Sequence, residues 1–386
     1  MELEKLKQHF TLVKNSSLFK EFYKNEEESS VLPLEKHVLR KVLKDNFSLQ
    51  KESKGVYLVR SGGSSSKPLI FPVDIKENLY QRSLLAKELV KYGMFSSKTI
   101  ALNLFSYKGM YRTAAILDDI LERCDATTIS LGASSSFELV YNTAKQFKAT
   151  ILMGTPSKLV LFANYLMENN LELEVNNLMY AGEFLLKSHA ELLKKVFRAQ
   201  KIYSLYGSAE TGIWGWSTYS EITTSYEILD DIVVEIEKPD KEGNGTLVVT
   251  NLLRKRFPVF RYLMGDIGKL IYEEGKRVLV LKSRESKSFS IDSEAYFLND
   301  FDWLYEEINR YQIQLRNTSD VAIEIEFLLV EAPSKMIDKN QIRKKLQAIF
   351  QIKTPNITLT INAVKESDLY VNNTTSKTPL IVDFRN

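Results

Sequence analysis

The sequence has little of what disulfides, metal centres and membrane spans are built from. Its 386 residues include one cysteine, Cys124, and three histidines, His9, His37 and His189. One cysteine excludes an internal disulfide and any multi-cysteine zinc site, and three scattered histidines argue against a histidine-built metal centre. No apolar run is long enough to span a bilayer, and the N-terminus lacks the apolar core of a signal peptide. We therefore expect a cytoplasmic protein that does not insert into membranes.

An excess of charge is also missing. Lys+Arg number 52 against 49 Asp+Glu, a formal net charge of +3, which is too balanced to predict a nucleic acid or a membrane surface as partner. The composition, 44% hydrophobic and 26% charged, is that of an ordinary globular protein. The length exceeds what one core usually supports, so we expect one large and one smaller domain.

Short strands alternate with helices between about residues 73 and 206. We predict strands at residues 99–104, 126–130, 150–153, 177–180 and 201–206. The intervening helices carry start signals, a capping box that begins at Ser135 and Thr155 followed by Pro156. Repeated β-α-β units of this length predict a helix-covered, largely parallel sheet, whose ligand crevice lies at the carboxyl ends of its strands.

The pattern changes after Gly212 to short strands without long helices. We predict strands at residues 213–218, 227–237, 246–251, 260–263, 268–272 and 278–281, which form a small antiparallel, barrel-like subdomain. A polar run at 282–288 marks a boundary. Beyond it we predict helices at 293–299 and 339–350 and strands at 311–316, 321–330 and 357–361. The fold class is thus α/β, with a large domain, residues 1–283, followed by a small, mobile α+β domain, residues 284–386.

Two turns of small and polar residues follow strands of the parallel sheet. They contain Gly182 and Glu183 after one strand and Tyr206, Gly207, Ser208 and Glu210 after another. Glycines let backbone approach a ligand closely, a tyrosine face suits a nucleobase, and a glutamate is a hard oxygen ligand for Mg²⁺. Each turn alone is also compatible with ordinary turn chemistry.

A run of small residues follows the predicted strand at 55–59. It contains Ser61, Gly62, Gly63, Ser64, Ser65 and Lys67. Hydroxyls, backbone N–H groups and a lysine suit a polyphosphate, although Ser66 precedes the lysine and a proline follows it, so this is not a Walker A loop. A flexible linker is the alternative reading.

Asp266 and Lys377 complete the set of candidate residues. Asp266 follows Gly265 at a predicted strand end, where one carboxylate can accept hydrogen bonds from two ribose hydroxyls. Lys377 lies in a polar loop of the C-terminal tail. Alone, the first is also typical of a β-turn and the second of a solvated charge.

These motifs, in this order, resemble the adenylate-forming superfamily of acyl-CoA synthetases and adenylation enzymes. The similarity is greatest to its phenylacetate-CoA ligase-like and acyl-protein synthetase-like branch. It rests on six segments in the family's order: residues 61–68, 147–157, 181–183, 206–210, 261–266 and 376–385.

The resemblance implies ATP and Mg²⁺ as cofactors and a two-step reaction. A carboxylic acid would attack ATP to give an acyl-adenylate and pyrophosphate, and a thiol would then take the acyl group. Glu210 is expected to hold Mg²⁺ and Asp266 the ribose, while Tyr206 packs on adenine beside Gly182 and Glu183. The loop 61–67 would wrap the pyrophosphate, Lys377 would bridge the acid and the phosphate, and Arg284 would lie at the domain hinge.

Departures from the family pattern leave alternatives open. Ala209 replaces the motif threonine, Ser66 a loop glycine and Ser283 a hinge glycine, which also fits a nucleotide-binding partner subunit without turnover. No carboxylate lies beside residues 105–110 to pair with an amino group, which argues against an amino acid substrate. The acceptor is expected to be coenzyme A or an acidic carrier protein, because residues 343–345 form a basic run on the small domain. A solvated helix face is the alternative reading of these charges.

Overall fold

The structure is a computed structural model. It describes residues 2–51, 55–61, 69–221, 224–284, 288–291, 294–297, 301, 303–304, 307–308, 310–319, 322–331, 337–350, 357–365, 368–370 and 379–385. The chain divides into two compact units, of which the second contains Ser283–Asn386 and the first nearly all of what precedes it.

Eight α-helices, one short 3₁₀ helix (Glu28–Ser30) and nineteen strands are found within the described residues. The helices are α1 (Glu2–Asn15), α2 (Lys36–Asn46), α3 (Ile75–Lys91), α4 (Thr113–Arg123), α5 (Phe137–Gln146), α6 (Pro156–Glu168), α7 (Lys187–Phe197) and α8 (Lys339–Phe350). The strands of the first unit are β1 (Val56–Arg60), β2 (Ile70–Asp74), β3 (Ile100–Asn103), β4 (Thr127–Ser130), β5 (Ile151–Gly154), β6 (Asn177–Ala181), β7 (Lys201–Ser208), β8 (Gly212–Thr218), β9 (Ser225–Ile228), β10 (Ile232–Glu237), β11 (Gly245–Asn251), β12 (Tyr262–Glu273) and β13 (Lys276–Arg284). The remaining strands are β14 (Ser288–Ile291), β15 (Glu294–Phe297), β16 (Arg310–Ser319), β17 (Ala322–Val330), β18 (Ile357–Val364) and β19 (Ile381–Asp383).

One sheet of eleven strands forms the centre of the first unit. Its order is β10-β11-β12-β13-β9-β8-β7-β6-β5-β3-β4. The strands from β7 to β4 are parallel, as predicted, and β7 pairs with β8 in an antiparallel hairpin. The antiparallel strands that we predicted as a barrel-like subdomain therefore continue the same sheet. The α/β fold class is confirmed.

Apolar layers cover both faces of the parallel strands. Ala101 and Ile151 lie in one buried cluster with Leu85 of α3 and Leu117 of α4. Their neighbours in sequence, such as Leu102 and Leu152, lie in the other cluster with residues of α5, α6 and α7. Side chains alternate between the two faces of a strand, so burial on both faces produces the continuous apolar runs of the sequence.

Side-chain caps set the helix starts. Thr155 accepts a hydrogen bond from the Lys158 backbone N–H (3.3 Å), and Pro156 is the first residue of α6. At α5 the capping residue is Ser136, which accepts from Leu139 N (3.3 Å). The predicted capping box was thus wrong by one position, because the Ser135 hydroxyl instead donates to Leu131 O (2.6 Å).

Three predictions beyond Gly212 were wrong. Residues 227–237 form two strands, because a turn closed by Ile232 N to Leu229 O (3.0 Å) separates them. The strands predicted at 260–263 and 268–272 form the single strand β12, whose pairing with β11 shifts register between Leu263 and Ile267. We predicted a helix at 293–299, but residues 294–297 form the strand β15. In this strand Tyr296 pairs with Phe289, and the two rings stack with 5.5 Å between their centroids.

The second unit contains a four-stranded sheet of order β18-β17-β16-β19. Helix α8 buries Ile342, Leu346 and Phe350 in the core of this unit. Within the described residues of either unit, the helices are too short or too polar to cross a bilayer. The cytoplasmic location stays a prediction.

Candidate active site

The two predicted small-residue turns lie side by side at the carboxyl edge of the parallel strands. Ala181, the last residue of β6, pairs with Leu205 of β7, so Gly182 follows next to Tyr206. Gly182 has φ +78°, and a Cβ built on it would meet no heavy atom within 4 Å. The edge is therefore open beside Gly182, as a ligand crevice requires.

Tyr206 is hydrogen-bonded to Asp266. The tyrosine hydroxyl donates to Asp266 Oδ2 at 2.5 Å, and Asp266 is only 2% exposed. The tyrosine ring packs edge-on against Trp214 (5.0 Å between centroids) and tilted against Tyr226 (5.6 Å). Asp266 lies within the irregular stretch of β12, between Leu263 and Ile267, and such irregularities redirect side chains near functional sites. The residues predicted to bind adenine and ribose are thus in direct contact.

Glu210 lies in the turn between β7 and β8. The residue is 3% exposed, and its Oε1 has no hydrogen-bond partner among the described residues. Buried Tyr262 lies close enough to this carboxylate for the charge to act on its hydroxyl. Burial raises the pKa of Tyr262, and the negative charge of Glu210 raises it further. Tyr262 is therefore neutral, and Glu210 Oε1 has no partner among the described side chains.

That oxygen makes Glu210 suitable for a magnesium ion. Within the part of the chain that the structure describes, no three or more His, Cys, Asp or Glu side chains are grouped to hold a metal. Mg²⁺ does not need such a group, since it commonly binds through one or two carboxylates, substrate phosphates and water. A single buried carboxylate with an unpartnered oxygen fits this mode.

Tight backbone packing shapes the hairpin that carries Glu210. A Cβ on Gly207 would come within 2.0 Å of the Gly212 carbonyl oxygen, so only glycine fits there. The Ser208 hydroxyl accepts from Thr211 N at 3.1 Å, which closes the turn. In this arrangement Ser208 is a turn-closing residue, and its predicted contact with the nucleotide remains a prediction.

Glu183 and Ser61 make structural contacts. Glu183 Oε2 accepts from Ser157 N (3.0 Å) at the first turn of α6. The hydroxyl of buried Ser61 accepts from Leu69 N (3.1 Å), and Ser61 N donates to Leu69 O (2.8 Å). Ser61 thereby ties together the two ends of the segment predicted to bind phosphate.

The other predicted residues are not placed in the site by the structure. Gly62, Gly63, Ser64, Ser65, Lys67 and Lys377 lie outside the described residues, and Arg284 is the last residue of β13.

Several residues of the site were missed in the sequence. Trp214 and Tyr226 pack against the Tyr206 ring, and Tyr262 lies beside Glu210. Tyr262 stands within the predicted ribose segment and could have been found from that motif. Trp214 and Tyr226 lie on strands β8 and β9, where aromatic residues are common, so no local signal separates them from core residues.

Solved structures share this architecture. The chain is similar to 2-hydroxyisobutyryl-CoA ligase in its postadenylation state, with a TM-score of 0.79 and 15% identity over 99% of this chain and 89% of that one. The chain has the fold of the adenylate-forming enzymes. It is also similar to the amide bond synthetase McbA from Marinactinospora thermotolerans, with a TM-score of 0.59 and 13% identity over 83% of this chain and 68% of that one.

One protein of known name is similar to this chain in sequence. The chain is 31% identical over 174 residues to an indoleacetate–lysine synthetase of Pseudomonas savastanoi, a match that spans 43% of this chain and 42% of that relative. No protein-family model matches the chain. The fold predicted from the resemblance of the six motifs is thus confirmed.

Proposed function

We propose that this protein activates a carboxylic acid with ATP and then passes the acyl group to a nucleophilic acceptor. The observation that carries the proposal is the bond between Tyr206 and Asp266, which places a stacking face for a base beside a carboxylate suited to ribose hydroxyls. It is also supported by the buried carboxylate of Glu210, whose Oε1 has no hydrogen-bond partner among the described residues. The fold shared with proteins solved in complex with acyl-adenylates supports it independently.

In the first step, a carboxylate oxygen of the acid attacks the α-phosphorus of ATP. An O–P bond forms, the bond between the α-phosphorus and the bridging oxygen breaks, and pyrophosphate leaves with that oxygen. Both reactants are anions, so the approach needs charge neutralisation. Glu210 would hold Mg²⁺ through Oε1, and the ion would screen the phosphate charge. Lys377 would contribute a second positive charge between acid and phosphate.

In the second step, the acceptor attacks the acyl carbon. A C–S or C–N bond forms, the bond from the acyl carbon to the AMP oxygen breaks, AMP leaves, and the acceptor proton passes to solvent. We assign the ATP and acid site to residues 1–283 and delivery of the acceptor to residues 284–386.

ATP–pyrophosphate exchange over a panel of carboxylic acids tests the first step. We expect Mg²⁺-dependent exchange with at least one acid. ATP binding without exchange on any acid would instead support the alternative of a nucleotide-binding partner subunit. Ala209 motivates that alternative, and its side chain packs against an apolar cluster instead of offering a hydroxyl.

The acceptor has two candidate classes. The sequence predicts a thiol, coenzyme A or a carrier protein, and one similar structure is named as a CoA ligase. An amine is the second candidate, because a 31% identical relative is named as a lysine synthetase and a similar structure as an amide bond synthetase. Mass spectrometry of products formed with coenzyme A, a carrier protein and a set of amines separates the two classes.

A further inference from the structure

The turn that carries Glu210 accepts hydrogen bonds from two buried side chains that lie far apart in the sequence. Gln81 of α3 and Asn251 of β11 both donate to the carbonyl of Thr211, at 3.1 and 2.7 Å. Gln81 and Asn251 are 1% and 0% exposed. Thr211 directly follows Glu210, so these bonds end one residue from the carboxylate that we assign to the metal.

The hydrogen-bonding capacity of the two amides is used within this network. Gln81 Nε2 donates to the carbonyls of Thr211 and Ile213 (3.0 Å), and Gln81 Oε1 accepts from Asn251 Nδ2 (3.1 Å). Asn251 Oδ1 accepts from Leu253 N (2.9 Å). A buried polar network with satisfied partners specifies one arrangement, because any shift leaves a buried donor or acceptor unpaired at a cost of about 1–3 kcal/mol each.

No space remains for the turn to move toward this network. Gly212 has φ +75°, and a Cβ there would lie 2.7 Å from Gln81 Nε2 and 2.9 Å from a terminal nitrogen of Arg254. Arg254 is itself fixed, since Nη2 donates to Asn78 Oδ1 at 2.7 Å. The network and the turn are therefore in van der Waals contact.

The backbone on both sides of Thr211 is held. The peptide between Glu210 and Thr211 is fixed through Thr211 N, which donates to the Ser208 hydroxyl at 3.1 Å. The next peptide is fixed through the Thr211 carbonyl, which accepts from both amides. An apolar pair would fill the same volume without setting the direction of either peptide. Together with Ser208, the amides thus restrain the backbone on both sides of Thr211, one residue from the Cα atom that carries the Glu210 carboxylate.

We propose that Gln81 and Asn251 are positioning residues that aim the Glu210 carboxylate at a divalent cation bound with ATP. This inference rests on the proposed function. Residues that orient a metal ligand without touching the metal typically contribute a factor of about 10–100 in affinity or activity.

Cation binding itself provides the test, without any acid substrate. Mn²⁺ is titrated into the full-length protein with a non-hydrolysable ATP analogue and followed by electron paramagnetic resonance. Gln81→Met keeps the volume and removes the amide, and we expect it to weaken Mn²⁺ binding on the order of tenfold. Asn251→Ser is the second variant, for use if Gln81→Met does not fold.

Thr150→Val is the matched control. Thr150 also bonds backbone through its side chain, accepting from Ile100 N at 2.9 Å, but it precedes β5, at the opposite edge of the parallel strands. We expect its melting temperature to fall while Mn²⁺ binding stays as in the wild type. If Gln81→Met or Asn251→Ser binds Mn²⁺ within twofold of the wild type, the positioning role is wrong. If the wild type binds neither the ATP analogue nor Mn²⁺, the proposed function fails first.

Discussion

The hydroxyl of Tyr206 donates to the carboxylate of Asp266 at 2.5 Å, across 60 residues of sequence. Tyr206 ends the parallel part of the sheet in β7, and Asp266 belongs to β12 in its antiparallel part. The bond holds the Asp266 carboxylate beside the edge of the Tyr206 ring. The parallel and antiparallel parts of the sheet thus each contribute one residue to this pair, which we propose binds the nucleoside of ATP.

Substitutions at this pair should affect nucleotide affinity and should not add. We expect Asp266→Asn to raise the KM for ATP roughly tenfold, since about 1.4 kcal/mol of binding is lost with the charge. Tyr206→Phe keeps the stacking face and removes only the bond, so its effect should be smaller. A double variant no worse than Asp266→Asn in pyrophosphate exchange confirms the coupling, whereas additive losses would show two independent contacts.

Glu210→Gln should abolish magnesium-dependent adenylation while ATP binding weakens less. The amide keeps the shape of the side chain and its contact with Tyr262, but it removes the negative charge. Pyrophosphate exchange measured against Mg²⁺ concentration checks this, with ATP binding followed by calorimetry. Near-normal exchange at millimolar Mg²⁺ would remove Glu210 from the metal role.

Lys377→Ala should separate the two steps. If the lysine bridges acid and phosphate during adenylation only, the variant loses acyl-adenylate formation and still transfers the acyl group from supplied acyl-adenylate. Both half-reactions are measured on the same preparation. Equal loss in both would assign Lys377 a structural role.

Charge reversal on α8 tests the carrier-protein acceptor. Arg343 donates to Leu359 O (2.9 Å), and Lys345 Nζ lies 4.7 Å from the centre of the Trp303 ring. Substitution of either would disturb contacts within the second unit, so exposed Lys344 is the better position for the charge reversal. Lys344→Glu should raise the KM for an acidic carrier at low salt, less at high salt, and leave pyrophosphate exchange unchanged. Lys98→Glu, the same charge change at an exposed position of the first unit, is the control. Thioester formation indifferent to Lys344→Glu and to salt contradicts this docking surface.

His9 should make stability fall at acid pH. Burial, and secondarily the charge of Lys255, lowers the pKa of His9 from 6.5 to about 4 in the folded protein. Between these values the unfolded chain binds more protons, so the unfolding free energy decreases as pH falls, by up to ~1.4 kcal/mol per pH unit from this residue. The loss begins near pH 6.5 and ends near pH 4.

Urea denaturation of His9→Leu from pH 7 to 4 measures this contribution. The variant should show a shallower pH dependence than the wild type. His37 is exposed, so His37→Leu serves as the control for the loss of a histidine without loss of a buried one. If the unfolding free energies of the wild type and His9→Leu change equally with pH, His9 is not the source of the loss of stability at acid pH.

Local sequence pattern was sufficient for the parallel half of the fold. The helices at residues 113–123 and 156–168 and the turns at Gly182 and Tyr206 follow from apolar periodicity, caps and small residues. The antiparallel half was predicted less well, because Gly265 looks like a strand end and residues 293–299 like a helix. Cross-strand pairing decided both, since β12 continues past Gly265 and Tyr296 stacks on Phe289.

The sequence by itself determined which residue types stand at the ends of the parallel strands, and hence the family resemblance and the candidates Glu210 and Asp266. Only the tertiary structure decided what surrounds them. Tyr206 bonds Asp266, Tyr262 lies beside Glu210, and Gln81 and Asn251 bond the turn next to Glu210. The amides of Gln81 and Asn251 are 170 residues apart. A hydrogen bond at that separation leaves no periodicity in either segment, because the same amide on a helix or strand could equally face water.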